Sequence, residues 1–493
     1  MKLFRSGSEK KMVFKIMGPL LFIFLEILGP PQSLNAGAYH VACVTLWMAF
    51  WWITEAIPIA ATALLPIVLF PLLGVLDLQS TTTSYGHKYI FLYLGGFILA
   101  IAIERSNLHQ RIALTIIRYV GGKLSQIILG FMVATAFLSM WISNTATSVM
   151  MLPIGMAVVK QFKDSSPASK MGNYFGKALM LGIAYSASIG GIATLIGTPP
   201  NLVLAGVLEK VYHVKIGFFE WMKFGLPISI LLLVLCWKYL TAYSFKFKSV
   251  QFPGGREEID RLYNKLGKIS VEEKRVSVIF ILTACAWIFR GLIQKFIPTI
   301  DDTIIAMAAA ILLFIIPSGK NKKALLTWED TVKLPWGVIL LFGGGMALAE
   351  GFSSTGLAEW VAERMTGMEN VNLLVLVLIL VTLVNFLTEV TSNMATTAII
   401  LPVLAPMALS LDVHPYLIMT GVTLAASCAF MLPVATPPNA IVFGSGYLRI
   451  SDMVKSGIVM NIVSILIITF MVYFLLPVIW GMDSVNFPAI FVK

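Results

Sequence analysis

Charge is what this sequence has least of: Asp, Glu, Lys and Arg make up 12% of its 493 residues, against roughly a quarter in a soluble domain. A water-exposed surface of this size cannot be covered with so few, which excludes an ordinary soluble globule. Cysteine is also scarce. Cys43, Cys236, Cys285 and Cys428 lie far apart within apolar segments, with no CxxC or metal-type spacing, so free, buried thiols are expected. There is no HExxH, no GxSxG and no GxxxxGK[ST], the marks of a metalloprotease, a serine hydrolase or an ATP-driven pump. His40, His87, His109, His213 and His414 are scattered near the ends of apolar runs, with no serine placed to pair with any of them. An enzyme is therefore not expected. The net charge is +11, yet no aromatic–basic stripe exists to stack bases, which excludes nucleic acid as a partner.

What the chain has instead is 58% hydrophobic residues, many gathered in runs at 57–76, 88–103, 224–237, 303–316, 371–387 and 458–480. Several approach the roughly 20 residues a helix needs to cross hydrocarbon. Lys2, Arg5, Lys10, Lys11 and Lys15 precede the first run, and basic residues recur at 105–123, 160–177, 246–275, 320–333 and 449–455. The loops between hold Asp301, Asp302, Glu359 and Glu363. About three quarters of the basic residues thus fall on one side, which places the N-terminus in the cytoplasm and the C-terminus outside. No small-residue cleavage site follows the first run, so 16–29 reads as a retained helix.

Alternating sides from that start predicts an all-α polytopic protein of the cell membrane, with about eleven crossings. One apolar region, 126–159, is too short to cross twice and must enter and leave on one side, and 371–411, with polar residues at its middle, replays it. Both are re-entrant hairpins. Broken spans follow at 176–208 and 415–444. The first half, 1–243, joins the second, 276–493, through a polar cytoplasmic linker at 244–275 containing Pro253-Gly254-Gly255 and an amphipathic segment.

The halves share sequence. Ser143-Asn144-Thr145 and the residues through Pro153 align without gaps on Ser392-Asn393-Met394 through Pro402. Thr198-Pro199-Pro200-Asn201 matches Thr436-Pro437-Pro438-Asn439, and Gly95-Gly96 answers Gly343-Gly344-Gly345. The topology sets the copies in opposite orientations. Inverted repeats with interrupted helices point to a secondary transporter whose site lies at the membrane midplane.

The residue types fit that role. Paired prolines remove backbone donors and break the helix. Freed carbonyls survive in hydrocarbon only where they line a polar cavity, and there they can face a cation, while the resuming half-helix turns its N–H groups toward an anion. At the hairpin turns, Asn144 and Asn393 can donate to a carboxylate and offer a carbonyl to Na⁺; Ser143 and Ser392 add hydroxyls. Apart from Glu389 these stretches are uncharged, which suits an exchangeable grip on an anion.

These motifs, with Trp51-Trp52-Ile53-Thr54-Glu55-Ala56-Ile57-Pro58 and Thr388-Glu389-Val390-Thr391, resemble those of the divalent anion:sodium symporter family, nearly end to end. The resemblance implies a homodimer of elevator type, with scaffold and transport domains, carrying a di- or tricarboxylate such as succinate, malate, 2-oxoglutarate or citrate. It places the substrate on Ser143, Asn144, Thr145, Thr198, Pro199, Ser392, Asn393, Thr436 and Pro437. Sodium, the expected coupling ion, would take Ser139, Ser143, Asn144 and Gly197 at one site, and Thr388, Thr391, Asn393 and Ala435 at the other. No other cofactor is implied. Met394 departs from the pattern, replacing a hydroxyl with a thioether. Since the family includes sodium-independent carboxylate exchangers, exchange stays open as the alternative, and an anion channel as a more distant one. The absence of Lys, Arg and His from the cation positions favours sodium.

Overall fold

The computed structural model describes residues 7–120, 123–165, 171–247, 255–319, 323–364, 372–482, 486–488 and 491. Lys2 and Arg5, positions 166–170 and 320–322 of the basic loops, linker residues 248–254 with Pro253 and Gly254, and residue 371 of the second hairpin lie outside it.

The described chain is helical throughout. The first half comprises α1 (Gly7–Leu28), α2 (Ala36–Thr54), α3 (Ile59–Thr62), α4 (Leu65–Leu72), α5 (Leu78–Thr83), α6 (Lys88–Arg105) and α7 (Leu108–Val120), then α8 (Leu124–Ser139), α9 (Asn144–Ser165), α10 (Met171–Gly191), α11 (Pro199–Tyr212) and α12 (Phe218–Lys238). After α13 (Gly255–Lys265) come α14 (Val271–Ile288), α15 (Arg290–Ile293), α16 (Asp302–Ile315), α17 (Trp336–Thr355) and α18 (Leu357–Arg364). The second half closes with α19 (Leu373–Leu387), α20 (Asn393–Ser410), α21 (Pro415–Ala426), α22 (Pro437–Phe443), α23 (Ile450–Phe470) and α24 (Leu476–Ile479). Six segments among the described residues are long and apolar enough to cross a membrane: Ala36–Thr54, Leu78–Arg105, Phe218–Ser244, Trp336–Thr355, Asn393–Ser410 and Ile450–Ile479. The protein is a multi-pass integral membrane protein.

Packing follows the repeated motifs. α10 lies along α8 and α9, α19 packs on α21 and α23, and each half reaches into the other: α9 packs on α22, and α20 on α11. Large apolar side chains such as Ile23, Leu282, Ile311, Leu383 and Leu466 remain exposed on helix flanks, as expected where the neighbour is lipid rather than water.

Two expectations change. The run 57–76 is not one helix: it breaks between Thr62 and Leu65. Pro58 caps α3 and Pro66 falls in the first turn of α4, so proline withholds donors. At the break the Ala63 carbonyl is taken by Tyr85 OH, and Trp52 Nε1 adds a second donor to the Ile59 carbonyl, which already accepts the Ala63 N–H. The four cysteines are free, but Cys285 is exposed rather than buried, because it faces the outer flank of α14.

The amphipathic α7 holds the linker side together. Its Leu108, Ala113, Leu114 and Ile117 are buried. On its polar face Arg111 pairs with Glu273 at 2.7 Å and Arg118 with Asp260 at 2.6 Å, tying it to α14 and α13.

Candidate functional site

Each hairpin turn is a helix break of a few residues. α8 stops at Ser139 and α9 starts at Asn144; α19 stops at Leu387 and α20 starts at Asn393. The local chemistry of the two is the same. The Ser139 hydroxyl lies 2.6 Å from Asn144 Oδ1 and 2.7 Å from the Ala187 carbonyl. The Thr388 hydroxyl lies 2.7 Å from Asn393 Oδ1 and 2.9 Å from the Ala426 carbonyl. A hydroxyl has one proton to give, so it cannot satisfy both oxygens. Each tip is therefore a tight cluster of three neutral oxygens with a surplus of lone pairs, the donor set a hard cation prefers.

Behind the first tip the broken span comes close. A Cβ placed on Gly191 would meet Asn144 Oδ1 at 2.6 Å, and one on Gly197 would meet the Gly191 carbonyl oxygen at 2.4 Å. Only glycine allows that stacking of tip on loop on loop. In the second half Ala429 and Ala435 occupy the matching places.

Both tips and both breaks line one cavity of about 1090 Å³, beyond the roughly 300–1,000 Å³ of a closed small-molecule site. Ser143, Asn144, Thr145, Thr198, Pro199, Ser392, Asn393, Thr436 and Pro437, all expected at the substrate, are in its wall. So are Gly197, Thr391 and Ala435 of the expected cation sets, whereas Ser139 and Thr388 sit beneath the tips, fully buried. Thr391 spends its hydroxyl on Leu387 O at 2.9 Å and on Thr396 Oγ1 at 2.6 Å, away from the Asn393 cluster. Three long helices, α9, α11 and α20, begin at this cavity. The first N–H groups of α9 and α20 lack intrahelical acceptors, whereas α11 opens on Pro199-Pro200, which have no N–H, and brings only the positive end of its helix dipole. Met394 also lines the wall, as do the exposed Val390 and Val434. The charged residues of the lining are Lys11, Glu55, Glu104 and Lys333, all in the exposed class, none of them at a tip or a break.

Glu389 is the one charge in the tip and break motifs, with no role that the sequence alone assigns. It is buried, and its carboxylate accepts hydrogen bonds from the N–H groups of Phe430 (2.8 Å), Met431 (2.9 Å) and Leu432 (3.0 Å) and from Asn461 Nδ2 (2.7 Å). It thereby pins the unwound loop of the second broken span to the hairpin. The first half has Met140 at the matching position. The signal was a carboxylate in a run otherwise free of charge.

Comparison with known proteins agrees with this architecture. The transmembrane region of the sodium:sulfate symporter family matches residues 10–481. A protein named "Sodium-dependent dicarboxylate transporter SdcS" from Staphylococcus saprophyticus is 47% identical over 490 residues, 97% of this chain and 94% of its own length. The protein of that name from Staphylococcus aureus strain USA300 is 46% identical over 495 residues, covering 97% and 95%. Among solved structures, Alcanivorax borkumensis YdaH matches with a TM-score of 0.59 at 15% identity, over 96% of this chain and 98% of that one. Neisseria gonorrhoeae MtrF gives 0.55 at 13%, over 92% and 98%. At such identities these two speak for the fold alone. The expected class, a transporter and not an enzyme, is borne out: the chain belongs to the sodium:sulfate symporter family, the divalent anion:sodium symporters that its paired motifs resemble.

Proposed function

We propose that this protein is a Na⁺-coupled dicarboxylate symporter of the cell membrane, working by an elevator movement within a homodimer. The observation that carries the reading is the pair of matched oxygen clusters, Ser139–Asn144–Ala187 and Thr388–Asn393–Ala426, beside one cavity where helix N-termini converge. A dianion held there meets no cationic side chain at the tips, so cations in the clusters supply the opposing charge. The names of the staphylococcal relatives, sodium-dependent dicarboxylate transporters, support the same substrate and ion.

The two halves act as inverted repeats with re-entrant hairpins, α8–α9 and α19–α20, and broken spans, α10–α11 and α21–α22. With the N-terminus inside and the C-terminus outside, Lys11, Glu104 and Lys333 lie on the cytoplasmic side. Since they line the cavity, the conformation is open inward.

Sodium-independent exchange is the second reading, and it rests on Met394, which puts a thioether where the first tip has Thr145. Proteoliposomes separate the two. Symport gives succinate uptake into empty vesicles that needs an inward Na⁺ gradient. Exchange gives flux in choline buffer only after preloading with dicarboxylate. Uptake that neither saturates nor accelerates with substrate on the far side would mean a channel.

A further inference from the structure

The last residue of each Thr-Pro-Pro-Asn motif stands outside both the tip clusters and the cavity wall. Asn201 and Asn439 are fully buried, each in the first turn of the helix that resumes after a break. Asn201 Nδ2 donates backward to Thr194 O at 2.8 Å and Gly191 O at 3.3 Å, seven and ten residues upstream. Asn439 Nδ2 donates to Leu432 O at 3.0 Å and Ala429 O at 3.3 Å, again seven and ten residues upstream. In both side chains Oδ1 is buried without a hydrogen-bond partner among the described residues. A side chain kept only to fill space and satisfy itself would not leave the same atom unpaired in two places, since burying an unpaired polar atom is costly.

The upstream carbonyls are those of the loops behind the tips. Gly191 sits against Asn144 Oδ1, and Gly197 sits on the Gly191 carbonyl. By closing the loop on itself, Asn201 fixes how far that carbonyl layer stands from the Ser139–Asn144 cluster. Asn439 closes the second loop in the same way through Ala429 O and Leu432 O, the loop whose N–H groups at 430–432 bind Glu389 beside the second tip.

We propose that Asn201 and Asn439 are positioning residues for two separate cation sites, one in each half, clamping the unwound loops into the geometry that Na⁺ requires. This rests on the sodium-coupled reading above. Partners that orient a metal's ligands without touching it typically change metal affinity by about 10–100-fold when removed.

The test is thermal unfolding of the purified protein in detergent, titrated with NaCl at constant ionic strength in choline chloride. A ligand that binds the native state raises Tm by mass action, so wild type is stabilised as Na⁺ rises. Asn201→Ser and Asn439→Ser should each shift the Na⁺ concentration for half-maximal stabilisation upward by about tenfold or more, and the double variant should lose the response. If the asparagines are only packing, Tm falls equally in both salts and the half-effect concentration stays put, which overturns the proposal. Should a serine variant fail to fold, the near-isosteric Asn201→Asp and Asn439→Asp, which exchange the donating amide for an acceptor, are read the same way. A wild type indifferent to Na⁺ would instead overturn the sodium reading itself.

Discussion

At the scale of single residues the two tips are near-copies, and their small differences make sharp comparisons. Asn144→Ala and Asn393→Ala each remove the amide that a cation and a carboxylate would share. Each should abolish succinate uptake in proteoliposomes while costing only about 1 kcal/mol of stability, the loss of one hydrogen bond. Near-normal uptake by both purified variants would remove the tips from the site. Gly197→Ala forces a Cβ to within 2.4 Å of the Gly191 carbonyl, so the loop must move, at a cost of roughly 1–3 kcal/mol. The second half already carries Ala435 in the same place. Gly197→Ala should therefore impair uptake most at limiting Na⁺, and Ala435→Gly should do little. The tips were legible in the sequence because serine, asparagine and paired prolines in an apolar run have few other uses. Glu389 was not, since its four donors come from residues 430–432 and 461, far along the chain from the motif that holds it.

At the scale of elements, what could be read was the existence of the broken spans and not their fine limits. The Thr-Pro-Pro-Asn breaks fall where the prolines put them. The break in 57–76 is not legible locally, because the Ala63 carbonyl beside it is taken by Tyr85, a partner 22 residues along the chain. The joint between α7 and α14 offers a test with a pH sign. Glu273 lies ahead of the apolar run of α14. Burial pushes its carboxyl up, but hydrogen bonds from Arg111 and the Ser270 N–H outweigh that and hold it below the usual range. Its contribution is thus complete above the ordinary glutamate pKa and is lost as pH falls through the lowered value. Breaking one partner of so buried a pair costs about 3–5 kcal/mol. Glu273→Gln should lower Tm clearly at neutral pH, with the gap to wild type closing under acid conditions. Equal gaps at both pH values would assign the loss to packing. Orientation is checked on the same scale: a cysteine at Arg256, on α13, should react with an impermeant maleimide only from the cytoplasm, and one at Thr82, on α5, only from outside. Labelling from the same side would undo the inverted arrangement.

At the scale of the whole molecule the site is built from two halves that meet: α9 against α22, α20 against α11. No ionised side chain of the protein stands at the tips, and the one buried carboxylate near them, Glu389, is fixed to its loop. On the elevator movement proposed above, that makes the carrier, electrically, a simple vehicle. Fixed charges that travel out and back cancel over a cycle, so the steady current equals the charge of the cargo alone. Two Na⁺ with a dianion give none, and capacitively coupled recordings of succinate uptake should be silent at steady state. A sustained inward positive current would mean a third ion. A single journey is a different matter, because the Glu389 carboxylate, fixed to its loop, travels with the vehicle whether it is loaded or empty. A voltage step without substrate should therefore evoke a brief displacement current, and Glu389→Gln should shrink it, so that membrane potential acts on the loaded and the empty journey in opposite senses and leaves no trace in the completed cycle.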